Sequence, residues 1–469
     1  MEIGDLIKVV TAIIFSILLI WVGLISGIQG RILILVFWAL VLWSLYPERH
    51  LESSIIVIAL LSLFQASLNI EDFIRSLFET YGGSGLWIIV SGFVLAKGME
   101  NSGLAKRISL HIVSLFGGRP RLIILSVALS NLAIAPLSPS TTAKAFLLLP
   151  VFVGLVESFE VEKGSSNYGA AVMLMAMAAN NICSTAFLTA TVPNPISAQY
   201  LEQTTGISLG WSRWFIMAFP LSIVLLFVAW LLCILIHPPE VEASSDARIR
   251  IERLKESLGE IELGELIMAI IFTLSLLLWI TDGLHPYNAG IISLILSLTL
   301  FIPRMGILSF EGVKGSVPLG SITLFAASMF MAKAVGKYDA LYPVARGVFH
   351  VFNLSNFGVT LFIVLITTVS MLLHIIFTST TVYATVMVPL VISLSNLQEV
   401  PPISAALPIA FIAPIAVILP VNTIPNIVFY SSGYFNQRQI IFYGITLSIL
   451  SSIIVLAFGV PYWRFIGLL

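Results

Sequence analysis

The 469-residue sequence is too apolar to cover the surface of a soluble protein. Hydrophobic residues make up 58% of it and charged residues 10%, with a net charge of −1, whereas soluble domains carry about 25% charged residues. This composition excludes a soluble enzyme, a nucleic-acid-binding protein and a secreted disulfide-linked scaffold. The two cysteines, Cys183 and Cys233, lie far apart in apolar runs, so we expect packing residues and not a disulfide.

Long apolar runs predict helices that cross a lipid bilayer, for which about 20 residues are needed. The uninterrupted runs are 7–28, 31–46, 52–69, 211–236, 264–281, 287–302 and 438–460. Tryptophans such as Trp43 and Trp211 mark several of their ends, as expected at the headgroup level. We expect the first run to be a retained helix, because no small-residue cleavage site follows it.

Four other apolar stretches are interrupted by proline, asparagine and hydroxyl residues. They are 122–156, 167–200, 357–397 and 403–434. In lipid each unpaired backbone group costs several kcal/mol, so non-helical backbone must be buried in protein or line a cavity. Ordinary proline kinks remain an alternative for any single break. Four breaks together favour a functional interpretation.

The breaks recur in matched pairs, which indicates an internal repeat. Ser140-Thr141-Thr142 matches Ser379-Thr380-Thr381 at an offset of 239, and each serine precedes a proline by ten residues. Thr191 to Asn194 matches Thr423 to Asn426 at an offset of 232. Ala96-Lys97 matches Ala332-Lys333 at an offset of 236. Paired broken segments in two halves of a chain are typical of the central site of a transporter.

The distribution of basic residues predicts the orientation. With the N-terminus in the cytoplasm, the inner loops carry fifteen lysines and arginines and the outer loops seven, which obeys the positive-inside rule. The repeats are then antiparallel, and the C-terminus lies outside. We expect a first helix and scaffold helices in 1–69, a first repeat in 70–236, a solvated cytoplasmic linker with a short amphipathic helix in 237–263, and a second repeat in 264–469. The inner re-entrant hairpin would be 122–156 and the outer one 357–397.

The residue types at the breaks suit an anion beside a hard cation. Ser140 and Ser379 are candidate N-caps of the returning helices, and a helix N-terminus attracts a carboxylate. Unwound carbonyls in the turns at 189–195 and 421–427 suit Na⁺. The two hairpins, 122–156 and 357–397, contain no Asp or Glu. The same holds for the two broken stretches, 167–196 and 403–434. This argues against a cationic substrate and against a proton relay through a carboxylate.

Two basic side chains in the hairpins have open roles. Lys144, one helical turn after Ser140, is either a counter-charge for a second carboxylate or a side chain that snorkels to the inner interface. His374, five residues before Ser379, is expected to be a packed histidine and not a ligand.

At these residues the sequence resembles the divalent-anion/sodium symporter family of the ion-transporter superfamily. The resemblance is carried by Pro139 to Lys144, Thr378 to Thr381, the segment Gly92 to Leu104 and the segment Leu419 to Tyr434. The first half is most similar to citrate and 2-oxoglutarate/malate exchangers, in which an arginine resembles Lys144. Threonine replaces the asparagine of the family in both hairpin tips, which keeps an oxygen ligand and loses an amide donor.

The resemblance implies an all-α polytopic membrane protein with about eleven transmembrane helices, two re-entrant hairpins and an inverted repeat. It implies a homodimer that works by an elevator mechanism in the cell membrane. The implied substrate-binding residues are Ser140, Thr141, Thr142, Lys144, Pro193, Asn194, Ser379, Thr380, Thr381, Pro425 and Asn426. The implied Na⁺ ligands are Ser140, Thr141, Ala190, Ser379, Thr380 and Asn422.

The predicted function is therefore secondary transport of di- or tricarboxylates coupled to Na⁺, without an organic cofactor or a nucleic-acid partner. A Na⁺-independent carboxylate exchanger and a carrier of another oxyanion, such as sulfate or arsenite, remain alternatives. A channel is also open, although hairpins that enter from opposite sides favour alternating access. An intramembrane enzyme would need a nucleophile–base set or metal ligands, and six scattered histidines and two cysteines form no such motif.

Overall fold

The computed structural model describes residues 27–46, 49–66, 70–303, 307–314 and 317–469. Throughout this part of the chain the regular elements are helices. The expected helix at 7–28 and the basic residues Lys8 and Arg304 lie outside the described residues, apart from the last two positions of that helix.

The first half of the described chain and the linker together contain eleven helices. They are α1 (Ile28–Leu45), α2 (His50–Ala66), α3 (Ile70–Tyr81), α4 (Ser84–Ser102), α5 (Leu104–Leu115), α6 (Pro120–Ile134), α7 (Thr141–Glu157), α8 (Asn167–Ala186), α9 (Pro193–Thr205), α10 (Trp211–Ile236) and α11 (Ser245–Glu256). Helix α11 lies within the predicted linker.

The second half of the described chain also contains eleven helices. Its elements are α12 (Leu263–Ile280), α13 (Ala289–Thr299), α14 (Phe310–Val313), α15 (Leu319–Tyr338), α16 (Tyr342–Val351), α17 (Val359–Leu373), α18 (Thr380–Leu397), α19 (Pro402–Ile412), α20 (Ile424–Tyr430), α21 (Gln437–Ile454) and α22 (Val460–Phe465). A π-helical turn over Val455–Gly459 joins the last two.

The surfaces of the long helices are those of a polytopic membrane protein. In the described residues, seven helices are long and apolar enough to cross a membrane. Helix α12 shows why: Leu266, Ile270, Leu274 and Leu277 form an exposed stripe along one face, with 43–56% of each side chain accessible. A stripe of this kind is unfavourable in water and favourable against lipid.

The two halves of the chain interlock. Helices α6 and α7 form a hairpin against α8, and α17 and α18 form a hairpin against α19. Each hairpin is completed by the opposite half, because α20 packs on α7 and α8 while α9 packs on α18 and α19. The outer helices pair across the halves as well, α4 with α13 and α15 with α2. This exchange brings both hairpin tips to the middle of the molecule.

The sequence predicted a solvated linker with a short amphipathic helix, and the structure has a short helix there that docks on the rest of the chain. Helix α11 packs on α5 and α7 and buries Ala247 and Ile251. Arg107 of α5 donates to the carbonyls of Leu258, Gly259 and Glu260 at 3.0–3.2 Å and pairs with Glu265 at 2.8 Å. Ala247 and Ile251, four residues apart on one face of α11, were the available sequence signal.

Candidate functional site

Both hairpins have a serine-capped helix start at the tip. The first reverses through a 3₁₀ turn at Ala135–Leu137, and the Ser140 hydroxyl then accepts from the Ala143 N–H at 3.0 Å. In the second, the Ser379 hydroxyl accepts from the Val382 N–H at 3.4 Å. The caps satisfy one free amide each, so α7 and α18 begin sharply at the tips.

Two broken helices face these tips. Helix α8 ends at Ala186, and a 3₁₀ turn at Leu188–Ala190 separates it from α9. Helix α19 ends at Ile412, and a 3₁₀ turn at Pro420–Asn422 precedes α20. The breaks match the predicted interruptions. In the first, residues 187–192 are all buried, whereas in the second Val421 and Ile424 are 57% and 52% exposed, and irregular backbone at membrane depth is tolerated where it is buried in protein or lines a cavity.

A cavity of about 340 Å³ lies between the two tips and the two breaks. It falls within the ~300–1,000 Å³ typical of small-molecule sites. Its lining includes the predicted residues Ser140, Thr141, Thr142, Ser379, Thr380, Thr381 and Pro425. The tertiary structure thus brings together seven predicted positions from two halves of the chain.

The cavity wall also contains residues that the sequence did not single out as binding residues. They are His50, Leu51, Phe93, Pro139, Thr191, Val192, Pro318, Gly320, Ser321, Leu324, Thr378, Thr423 and Ile424. Thr191 and Thr423 belong to the repeated turn, which could have identified them. His50 and Ser321 come from helix starts outside the repeated motifs and carry no such signal. None of the described residues that line this cavity is acidic.

A close backbone approach positions the first tip. A Cβ atom at Gly92 of α4 would lie 2.8 Å from Cγ of Pro139, so a larger residue there would push the tip away from α4. The second tip is held by Thr378, whose hydroxyl donates to the Ser44 carbonyl of α1 at 2.7 Å.

The two Pro-Asn asparagines hold the helix breaks together and do not line the cavity. The Asn194 amide donates to the carbonyls of Ser184 and Phe187 at 2.7 and 2.8 Å. The Asn426 amide donates to the carbonyls of Ala416 and Leu419 at 2.7 and 3.0 Å. Both side chains are fully buried, and Pro193 is also buried. These asparagines supply the hydrogen bonds that the interrupted helices lack.

The two residues implied as backbone Na⁺ ligands lie in the 3₁₀ turns beside the tips. Ala190 is fully buried, and Asn422 is 1% exposed. The Asn422 amide donates to the carbonyls of His374 and Phe377 at 2.7 and 3.1 Å. In the first half the corresponding link is Thr189, whose hydroxyl donates to the Pro136 carbonyl at 2.5 Å. Each turn is therefore fastened to the tip of its own hairpin.

Lys144 lies behind the first tip and outside the cavity lining. Its side chain is 2% exposed, and its ammonium donates to the Ser184 hydroxyl at 2.8 Å. Among the described residues it forms no ion pair. Because the ammonium is enclosed by protein, snorkelling to the interface does not account for its position. His374 is packed, as expected: it stacks on Tyr383 with the ring centroids 3.8 Å apart, and its Nε2 lies 3.1 Å from the Ala413 carbonyl.

Two buried amide oxygens in the first half have no hydrogen-bond partner among the described residues, a feature that suits a bound cation. The side-chain oxygens of Asn180 and Asn194 are buried and have no hydrogen-bond partner within the described chain. In the second half the Asn422 and Asn426 oxygens accept from the Leu419 N–H and from Asn181, respectively. Buried amide oxygens normally have partners, so the unmatched pair in the first half is compatible with an oxygen-liganded cation such as Na⁺.

Comparisons with known proteins point to one family of membrane transporters. The model of the sodium:sulfate symporter transmembrane region matches residues 5–469. Dicarboxylate transporter 1 from spinach chloroplasts is 30% identical over 408 residues, 83% of this chain and 69% of that protein. The L-tartrate/succinate antiporter of Escherichia coli K12 is 26% identical, over 76% of this chain and 73% of the antiporter.

The fold has a solved counterpart in the YdaH transporter of Alcanivorax borkumensis, with a TM-score of 0.56 and 15% identity. The similarity covers 89% of this chain and 99% of that one. Since the family model covers nearly the whole sequence, the chain belongs to the divalent-anion/sodium symporter family and is a membrane transporter, not an enzyme.

Proposed function

We propose that this protein is a secondary active transporter that moves di- or tricarboxylate anions across the cell membrane, coupled to Na⁺. The observation that carries the proposal is the cavity between the hairpin tips, where two long helices begin and no acidic residue lines the wall among the described residues. The names of the spinach and E. coli relatives, a dicarboxylate transporter and a tartrate/succinate antiporter, support this class of substrate.

The two hairpin tips favour a substrate that has two carboxylate groups. Helices α7 and α18 each point a positive N-terminal end at the cavity. The first residues of these helices carry hydroxyl groups and line the cavity: Thr141 and Thr142 in one tip, Thr380 and Thr381 in the other. A substrate with a carboxylate at each end can contact both tips, which a monocarboxylate cannot do. Pro425, with Pro193, Asn194 and Asn426 behind it, shapes the wall and holds the backbone in place.

Na⁺ would bind beside the tips. The proposed ligands are oxygens of Ser140, Thr141, Ser379 and Thr380, with the backbone at Ala190 and Asn422. The buried, unpartnered oxygens of Asn180 and Asn194 support a cation in the first half. A cation that binds the substrate-competent state raises the affinity for substrate, and substrate raises the affinity for the cation by the same factor.

Na⁺-independent exchange is a second candidate, favoured by Lys144. The buried lysine near the first tip can supply a positive charge where a coupling ion would otherwise be needed. The antiporter among the relatives supports this alternative. The two candidates differ in whether external Na⁺ changes the affinity for a dicarboxylate.

Alternating access would follow from the repeat. We propose antiparallel halves, a cytoplasmic N-terminus, a homodimeric assembly and an elevator movement of the hairpins against a scaffold. An apolar core formed mainly by α1, α2 and α15, with Val382 of α18 also in it, supports a scaffold against which the second hairpin packs. In this topology α2 and α15 begin on the cytoplasmic side, and their first residues line the cavity, so the structure would represent an inward-facing state.

Counterflow in proteoliposomes tests the proposal. Vesicles loaded with unlabelled succinate, malate or tartrate should accumulate the same labelled acid, and citrate tests the tricarboxylate case. Na⁺ outside should lower the concentration for half-maximal uptake, and K⁺ should not. Uptake that does not change with external Na⁺ and that requires unlabelled carboxylate inside the vesicles would favour the exchanger. Uptake of labelled sulfate but of no carboxylate would contradict the proposed substrate class.

A further inference from the structure

A second polar cavity lies at the base of the first hairpin, away from the substrate cavity. It has a volume of about 430 Å³ and lies between the loop before α6 and the start of α11. Its lining includes Gly117, Gly118, Arg119, Ser244, Ser245 and Arg248. The transport site described above uses none of these residues.

Two chain segments are locked together at this cavity. The Ser244 N–H donates to the Gly118 carbonyl at 3.1 Å. A Cβ atom at Gly118 would lie 2.0 Å from the Ser244 carbonyl oxygen, and one at Gly117 would lie 3.7 Å from Cδ of Arg248. This approach holds Arg119 and Arg248, which belong to different segments, on the wall of one cavity.

These two arginines are exposed, and neither side chain has a hydrogen bond or an ion pair within the described parts of the chain. Two other arginines in this region do form ion pairs: Arg107 pairs with Glu265, and Arg250 pairs with Glu160. No acidic residue lines the cavity in the described structure. Glu242 and Asp246, the neighbouring acids on the linker, are exposed and do not contribute to the wall. Among its described residues, the wall of the cavity therefore carries two basic side chains and no acidic one.

The length of α10 places the cavity near the level of the lipid headgroups. Helix α10 has 26 residues, or about 39 Å at 1.5 Å per residue, and so extends past a hydrocarbon core of about 30 Å. The linker follows it directly. Near this end, Trp230 donates to the Arg121 carbonyl at 2.8 Å, as an interfacial tryptophan can. Leu115, beside the arginines, is 82% exposed and is available to acyl chains.

We infer that this cavity binds the headgroup of an anionic phospholipid, with Arg119 and Arg248 on the phosphate. The planar guanidinium group matches phosphate oxygens in pairs, and basic pockets beside membrane helices are suited to anionic headgroups. Because the arginines come from two segments, a bound lipid ties the linker helix to the base of the first hairpin. This goes beyond the proposed transport function and does not depend on it.

Native mass spectrometry of the detergent-solubilised protein tests the site. Titration with phosphatidylglycerol should give tighter binding than titration with phosphatidylcholine. The double variant Arg119→Ala/Arg248→Ala should weaken phosphatidylglycerol binding about tenfold or more and leave phosphatidylcholine unchanged. Arg464→Ala is the matched control, because this exposed arginine lies near the opposite end of α10 from the cavity. The neighbouring Tyr462 donates to the carbonyl of Ile216, close to the start of that helix.

Each remaining outcome decides the question. Equal binding of both lipids, or wild-type binding by the double variant, would overturn the site. Inorganic phosphate that displaces the lipid and binds with the same arginine dependence would identify a free-phosphate site and overturn the lipid assignment. If the double variant melts early, Arg119→Lys/Arg248→Lys replaces it. This variant should still bind phosphatidylglycerol more tightly than phosphatidylcholine, although with reduced affinity. Equal binding of the two lipids by this variant would contradict the proposal.

Discussion

At the level of single side chains, Lys144 combines a positive charge with almost complete burial. Its ammonium contacts the Ser184 hydroxyl, so the first half of the repeat carries a charge that the second half lacks: position 383, at the offset of 239, is Tyr383. A hydrogen bond to a charged group contributes about 1.5–3 kcal/mol. The cation therefore has a measurable influence on the first hairpin tip, whichever coupling mode operates.

We predict that Lys144→Ala lowers uptake of the preferred dicarboxylate by about tenfold or more. Lys144→Arg should retain part of the activity, because the positive charge remains. Ser184→Ala is the control, since it removes the hydrogen bond and keeps the charge, and its effect should be smaller than that of Lys144→Ala. Initial uptake rates in proteoliposomes measure all three. Wild-type rates in Lys144→Ala would exclude a role for this charge in transport.

The buried asparagines support a second prediction about single residues. Asn426→Ala leaves the carbonyls of Ala416 and Leu419 without their donor, and each unsatisfied buried group costs about 1–3 kcal/mol. We expect a lower melting temperature for Asn426→Ala and for Asn194→Ala. Asn426→Asp should be at least as damaging, because an acceptor would then face two carbonyls. Ligand-free thermal unfolding in detergent is the measurement, and unchanged melting in all three variants would contradict a structural role.

Among the helices, α7 and α18 have equivalent serine caps at the hairpin tips. Ser140→Ala and Ser379→Ala should each destabilise the protein by about 1 kcal/mol. Each should also weaken the effect of Na⁺ on dicarboxylate affinity, since each removes a proposed ligand oxygen. Substrate binding with and without Na⁺ and ligand-free melting separate the two effects. If both variants lose stability but keep the full Na⁺ effect, the serines are caps and not ligands.

The helical elements differ in how well local sequence predicted them. The hairpins and broken helices lie where Pro, Asn and hydroxyl residues interrupt apolar runs, because such breaks are a local property of the backbone. The docking of α11 was not predicted. Ala247 and Ile251 are too short a pattern in a charged segment, and the contact partners on α5 and α7 lie more than eighty residues away.

For the whole molecule, the proposed topology places the linker and the loop after α12 on opposite sides of the membrane. Ser257→Cys and Leu284→Cys put single thiols at exposed positions, and the native Cys183 and Cys233 are buried, which limits background labelling. In sealed inside-out vesicles an impermeant maleimide should label position 257 and spare position 284, with the reverse in right-side-out vesicles. Labelling of both positions from one side would contradict the antiparallel arrangement.

The sequence by itself determined the membrane environment, the four breaks, the family and seven residues of the cavity wall. Composition, local breaks and a repeat offset are properties that a linear pattern carries. Only the tertiary structure decided that Asn194 and Asn426 turn into the protein, that Lys144 lies behind the first tip, and that His50 and Ser321 reach the cavity. The direction and the partners of a side chain depend on helices brought together from distant parts of the chain, because each half of this protein is completed by the other.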